Sequence, residues 1–259
     1  MPEEIYPDLF RIKIPLPDSP LKYLNSYIIK GKDRHLIVDT GLNRKRCKTA
    51  MLEGLAKLGV DLNDADIFIT HLHADHFGLV GELVTDLTTV YFNRPDTELI
   101  EHWEGFEPMI RFAAKNGFPE DLLRQALSQH PGFKYGTDWI PSLNILNDGD
   151  VLEIGAYRFS CVQTPGHTQG HTCLYEPEHR FLIAGDHLLE DITPNIQCWS
   201  EDTDPLKEYM ESLDKVYPLA VDQVLPGHRR LFDSYTERIG QFKHHEARLQ
   251  EVMNLPGRC

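Results

Sequence analysis

Residues 70–79 read "THLHADHFGL", which sets His71, His73, Asp75 and His76 almost side by side. Three imidazoles and a carboxylate in one short stretch are hard to bury, because each polar group taken out of water needs a compensating partner. They are also donors that suit divalent metals of borderline softness. The chemistry on offer is therefore metal binding, and further ligands should lie elsewhere in the chain. Three other places, each an apolar run ending at or beside a Gly turn, supply candidates. "FSCVQTPGHTQGH" delivers His167, "FLIAGDHLL" delivers Asp186, and "VDQVLPGHRR" delivers His228. Sites in open sheets gather at the carboxyl ends of strands, so four strand ends meeting at one spot is a consistent geometry. Five His and two Asp are too many for one tetrahedral ion. They suit two ions that share a bridging carboxylate and a bridging water.

The elements that must position these groups follow from periodicity. Residues 8–15 and 25–38 read as strands, the second with a turn at 31–34. "NRKRCKTAMLEGLAKLG" (43–59) is an amphipathic helix stopped by Gly59. Residues 66–70 form a short buried strand that runs into the His cluster; "GLVGELVTDL" continues as a helix and 88–92 as a strand. Over 94–141 the pattern turns helical. Strands return at 143–163 around a turn at "NDGD" (147–150), then at 172–176 and 180–185. Residues 204–217 read as a helix, 221–225 as a strand and 232–253 as a charged terminal helix. Strands with interspersed helices, twice over, predict one layered α/β domain over 1–259 with a helical insertion at 94–141.

Composition narrows the partners. The 259 residues are 41% hydrophobic and carry a formal net charge of −14. That charge argues against nucleic acid or an anionic membrane, since both need a basic surface. No apolar run approaches the ~20 residues of a membrane helix. The acidic start, "MPEEIYPDLF", lacks a signal-type apolar core. Five cysteines, Cys47, Cys161, Cys173, Cys198 and Cys259, form no CxxC pair; Cys161 and Cys173 sit in apolar runs and read as inert buried thiols. A cytoplasmic protein acting on a small molecule is expected, with a homodimer left open.

"HLHADH", "TPGHTQGH", "AGDH" and "LPGH", in this order and at these distances, resemble the metallo-β-lactamase fold superfamily, and "IVDTGL" (37–42) matches its usual early strand and turn. The resemblance spans nearly the whole chain. It implies a four-layer αββα sandwich with a dinuclear site along one edge. Carried over to this chain, His71, His73 and His167 would hold one metal, Asp75, His76 and His228 the other, and Asp186 would bridge them. Asp39 would orient a ligand His through its other nitrogen. The departures narrow the branch. The di-zinc β-lactamases with a Cys ligand have it where this chain has Asp186, other true β-lactamases also lack an Asp there, and secreted lactamases need a signal peptide. The flavo-di-iron branch has Glu in place of His73 and adds a flavin domain. What remains is the glyoxalase II, lactonase and phosphodiesterase side. His187 with the following "LLEDITPNI" looks like a hydrolase branch of little-explored chemistry, and "HHEARLQ" (244–250) resembles a connector to a winged-helix appendage, which is not expected here.

The function this implies is a metallo-hydrolase that uses a hydroxide shared by two divalent ions to cleave a small ester, thioester or lactone. Zinc is the first choice, with iron or manganese as alternatives, because imidazole and carboxylate suit all three. Asp75 would orient the hydroxide and serve as proton carrier, with His187 as a second candidate for the proton. A phosphodiesterase or nuclease would share every metal ligand, as would an iron-dependent sulfur oxygenase. Substrate contacts are expected from Arg229, directly after His228, and from the aromatic residues of the insertion. Among these, Trp103 and Phe112 are singled out; Phe106, Met109, Phe118, Tyr135 and Trp139 complete a candidate apolar lid.

Overall fold

Alternation of period two sorts the strand residues into separate cores. In β2 (Leu9–Pro15), Ile12 and Ile14 face one core and Leu9 the other. In β3 (Tyr23–Lys30), Leu24 and Ile28 take the first side, Tyr27 and Ile29 the second. β4 (His35–Val38) and β5 (Ala65–Phe68) continue this pattern, with Ile37 and Ile67 on the first side and Leu36, Val38 and Phe68 on the second. A strand buried on both faces must lie inside a layered stack. The computed structural model describes residues 1–103, 105–129, 134–136, 140–198 and 200–253, with side chains through residue 244. Trp139 and Cys259 lie outside the described residues.

Two sheets carry the stack. The first has seven strands in sequence order, from β1 (Glu3–Tyr6) through β6 (Val90–Asn93) to β7 (Leu143–Leu146). Its first four strands pair antiparallel, and β4 through β7 run parallel. The second sheet has the order β12-β11-β10-β9-β8. Its strands are β8 (Val151–Ile154), β9 (Tyr157–Gln163), β10 (Thr172–Glu176), β11 (Phe181–Gly185) and β12 (Gln223–Pro226). Only β11 and β12 pair parallel in it.

Three cores give four layers. The outer face of the first sheet is covered by α1 (Lys45–Leu58), through Cys47, Met51 and Leu55, and by the short helices α2 (Ala74–Phe77) and α3 (Val80–Leu83). The two sheets meet through Tyr27, Phe68, Phe159, Phe181, Ile183 and Leu225. The far face of the second sheet is covered by α7 (Pro205–Val216), through Tyr209, Leu213 and Val216, and by α8 (Tyr235–Met253), through Tyr235, Ile239 and Phe242. This is the αββα order. Between β6 and β7 the chain makes α4 (Arg94–Glu101), α5 (Glu107–Lys115) and α6 (Glu120–Gln129). Among the described residues no helix is long and apolar enough to cross a membrane. Cys161 and Cys173 are buried, and burial pushes both thiols up to about 12.

One reading of the sequence is corrected. "GLVGELVTDL" is not one helix: Leu79 donates its N–H to Gly41 O at 2.9 Å, and α3 ends at Leu83. The turn at 147–150 is present, and it carries the chain from β7 in one sheet to β8 in the other.

If the inter-sheet core is the main source of cohesion, Phe159→Ala should cost about 3–5 kcal/mol, because the cavity adds to the lost transfer energy. Chemical denaturation checks this. A loss below about 1 kcal/mol would place the stability elsewhere.

Candidate active site

Every candidate ligand follows the carboxyl end of a strand. β5 leads through Thr70 to His71 and His73, and α2 turns Asp75 and His76 back over that end. β9 leads to His167, β11 to Asp186, and β12 to His228. Both sheets therefore deliver ligands to one edge.

His71, His73 and His167 form the first group. His71 Nε2 lies 3.1 Å from His73 Nδ1 and 3.2 Å from His167 Nε2. Asp75, His76 and His228 form the second, with His76 Nε2 3.3 Å from His228 Nε2 and His228 Nε2 3.3 Å from Asp75 Oδ2. Asp186 spans them: Oδ1 is 3.5 Å from His76, and Oδ2 is 3.6 Å from His167 and 3.5 Å from His228. In each of these groups, and in the set His71, His76 and Asp186, the ligand atoms lie within 4.8 Å of one another.

The far nitrogens decide what the near ones can do. His167 Nδ1 donates to Asn195 O at 2.8 Å, and His228 Nδ1 donates to Tyr23 O at 3.0 Å. His76 Nδ1 donates to the Asp39 carboxylate at 2.7 Å. Thr70 Oγ1 donates to that same carboxylate at 2.9 Å and so accepts from His71 Nδ1 at 3.0 Å. With a proton fixed on Nδ1, each of these four rings turns its Nε2 to the centre. Lone pairs about 3 Å apart need a shared positive charge. Asp186 Oδ1 is buried and has no hydrogen-bond partner among the described residues, which leaves an acceptor in the same condition. Gly227 completes the cradle, since a Cβ there would fall 2.7 Å from Asp186 Oδ1. The residues present fit divalent cations.

Electrostatics point the same way. Burial holds His71 and His167 below the usual imidazole range and His73 down at about 3, so these three are neutral donors. Burial also opposes charge on His76 and His228, but it is outweighed at His76 by Asp39 and then Asp186, and at His228 by Asp186 and then Asp75, so both are raised. Burial opposes the charge of Asp75 and Asp186 as well, yet the neighbouring imidazoles hold both below the usual carboxylate range. The second group and Asp186 thus form a corner that favours positive charge.

The other expected contact residues lie outside these two groups. His187 is fully buried; its ring packs 5.2 Å from Tyr209, and neither nitrogen has a hydrogen-bond partner. His187 thus has no exposed surface from which to meet a substrate. Arg229 turns its Nη2 to Pro20 O at 3.2 Å, and Arg230 pairs with Glu190 at 2.8 Å. Trp103 is 48% exposed and packs edge-on to Phe106 at 5.1 Å; Phe112 is half-buried on α5.

Supporting residues emerge that the motifs alone do not show. Thr70 relays Asp39 to His71. His171 Nε2 accepts from Asp186 N at 3.1 Å, so this imidazole holds a ligand's backbone instead of a metal. Asn25 Nδ2 and Tyr27 OH both donate to Pro226 O, at 2.9 and 2.8 Å, and fix the turn before His228. Asp96 accepts four hydrogen bonds in the interior, and burial still pushes its carboxyl up to about 6. The Asn-x-x-Asp spacing at 93–96 marks a helix start, but no local signal ties it to the site.

Asp186→Asn replaces the carboxylate that lies between the two groups with a neutral amide. It is expected to lower bound metal and to cut turnover by at least the roughly 10–100-fold that outer partners of a metal site cost. Elemental analysis and circular dichroism check this, and unchanged metal content in a folded variant would reduce Asp186 to a turn residue.

Comparison with known proteins agrees with the geometry. The family model described as "Metallo-beta-lactamase superfamily" matches residues 21–228. The probable metallo-hydrolase YqjP of Bacillus subtilis (strain 168) is 27% identical over 238 residues, covering 85% of this chain and 71% of that one. The acyl-coenzyme A thioesterase MBLAC2 of Homo sapiens is 24% identical over 221 residues, covering 80% and 74%. The crystal structure of a metallo-beta-lactamase family protein from Thermus thermophilus superposes with a TM-score of 0.82 at 30% identity, over 98% of this chain and 85% of that one. With the family model matching the whole span from the β2–β3 turn to His228, this chain belongs to the metallo-beta-lactamase superfamily, as a metallo-hydrolase of that family.

Proposed function

We propose that this enzyme hydrolyses a thioester, or a related small acyl ester or lactone, with two divalent cations held by His71, His73 and His167 on one side, Asp75, His76 and His228 on the other, and Asp186 between. The observation that carries the reading is the pair of three-ligand groups joined by one buried carboxylate with a free oxygen. Such ions, when bound, acidify water and polarise an acyl carbonyl. Zinc, iron and manganese all suit these donors.

The chain's own groups then have separable tasks. Asp75 is 24% exposed, against 10% for Asp186 and 0% for His76 and His228. It is thus the carboxylate best placed to accept a proton from an attacking water and to return it to the leaving group. His71, His76, His167 and His228 position and do not move protons, because each of their Nδ1 protons is engaged by a fixed acceptor. A thiol has a reference pKa near 8.5, far below that of an alcohol, so a leaving thiolate needs little protonation. A site with one partly open carboxylate and with His187 sealed away suits that leaving group best. The thioesterase relative supports the same choice.

Metal-free enzyme should be inactive, and Zn, Mn or Fe should restore cleavage of a thioester well above that of bis-p-nitrophenyl phosphate in a substrate panel. Phosphodiester cleavage without thioester cleavage would overturn the reading.

For the acyl portion, we infer that the segment from Trp103 through α5 forms the wall, with Trp103 and Phe112 against the chain. Each buried methylene contributes about 0.8 kcal/mol. The logarithm of kcat/KM should therefore rise with acyl length in the wild type and rise less in Trp103→Ala or Phe112→Ala. A flat wild-type series would assign these aromatics to the packing of the helices or to a subunit contact.

A further inference from the structure

Asp96 touches none of the seven candidate ligands, yet two ligand loops are fastened to it. It sits in the first turn of α4 with 0% exposure. Its Oδ2 accepts from Leu72 N at 3.0 Å, in the peptide between His71 and His73, and from Thr168 Oγ1 at 3.0 Å, next to His167. Its Oδ1 accepts from Gly170 N at 2.9 Å. Asn93 closes the arrangement: its Oδ1 caps Asp96 N at 2.8 Å and its Nδ2 donates to Asp96 Oδ2 at 3.3 Å. The loop after His167 lies bare against this cap, for a Cβ on Gly170 would fall 1.6 Å from Asn93 Oδ1. One carboxylate therefore cross-links the loop of His71 and His73 to the loop of His167. It does so from the helix that opens the 94–141 segment.

We infer that Asp96 is the positioning residue of the His71, His73 and His167 group. It sets the spacing of the two loops so that three nitrogens converge at the separations seen. The inference rests on the metal reading of the site. Both oxygens are needed. Each receives a backbone N–H, so an amide at this position turns its NH2 against a donor whichever way it is placed. The second group draws its fixed partners from Asp39 and Tyr23, and none of its three residues bonds Asp96.

The test is cobalt titration of metal-free protein, followed by visible absorption, with the two binding phases assigned by His73→Ala and His228→Ala. Asp96→Asn should weaken the first-group phase by roughly 10–100-fold, the cost of losing an outer partner, and leave the second-group phase unchanged. Thr168→Val removes one neutral donor and keeps the carboxylate. It should weaken the same phase by less, and it decides the matter if Asp96→Asn does not fold. Two normal phases in wild type together with an unchanged first phase in these variants would overturn the inference. So would equal weakening of both phases, which marks a general loosening. A wild type that binds no cobalt would instead overturn the metal reading itself.

Discussion

Unprotonated nitrogens do not gather by themselves. Holding His71, His73, His167, His76 and His228 with their lone pairs turned inward is the constraint on which the rest of the structure depends. Four of these rings, His71, His76, His167 and His228, are held from behind, and the acceptors that hold them come from distant parts of the chain. Asp39 serves His76 directly and His71 through Thr70. It does so from a left-handed backbone, φ 59°, that a non-glycine residue adopts at a cost of order 1–3 kcal/mol. Tyr23 O serves His228 from β3. Asn195 O serves His167 from the loop after β11, and Arg238 of α8 braces that loop by donating to Leu189 O at 2.7 Å and Ile192 O at 2.8 Å. A terminal helix far along the sequence thus bears on the orientation of one imidazole.

The sandwich explains why such a centre can be built at all. A single sheet would present strand ends in one row. Two sheets packed through Phe159, Phe181, Tyr27 and Leu225 present two rows facing each other, so ligands approach from opposite sides. The helices on the outer faces fix each sheet separately, through α1 on one side and α7 with α8 on the other. The position of Asp186 relative to His76 is then set by the inter-sheet core and not by any local turn.

The clustering of the candidate ligands was legible because each sits in a short motif at the end of an apolar run, and the layered α/β class was legible from the order of those runs. Pairing was not. The turn at 147–150 has the residues of a hairpin, yet β7 and β8 belong to different sheets, because β7 finds its partner in β6 by parallel pairing. Helix length near the site was also hidden. Gly78 is pressed against Asn43 N and Tyr135 O, where its Cβ would come within 2.9 and 2.7 Å. This packing against distant segments, together with the bond from Leu79 to Gly41, splits the apolar run into α2 and α3. His171 was visible within "TPGHTQGH", but its use as an acceptor for a backbone N–H follows only from the approach of β11. Asp96 looks like an ordinary cap because its partners at 72, 168 and 170 are remote in sequence.

The helical segment between β6 and β7 divides in a way its sequence pattern conceals. Its start is built into the frame: Asn93, Asp96 and Thr97 are buried, and the cap is locked by hydrogen bonds to both ligand loops. Beyond Glu101 the character changes. Trp103, Phe118 and Leu122 are exposed, and the ion pairs of Arg124 with Glu107 and Glu120 lie at the surface, where such pairs hold little. The buried start of the segment is thus distinct from α5, which buries only Ile110 and Ala113, and from α6, which buries no residue. On the proposed reading this separates the two demands on the enzyme. Metal geometry needs a rigid frame, while acyl groups of differing length need a yielding wall, and the boundary between them falls within a single insertion, just past α4.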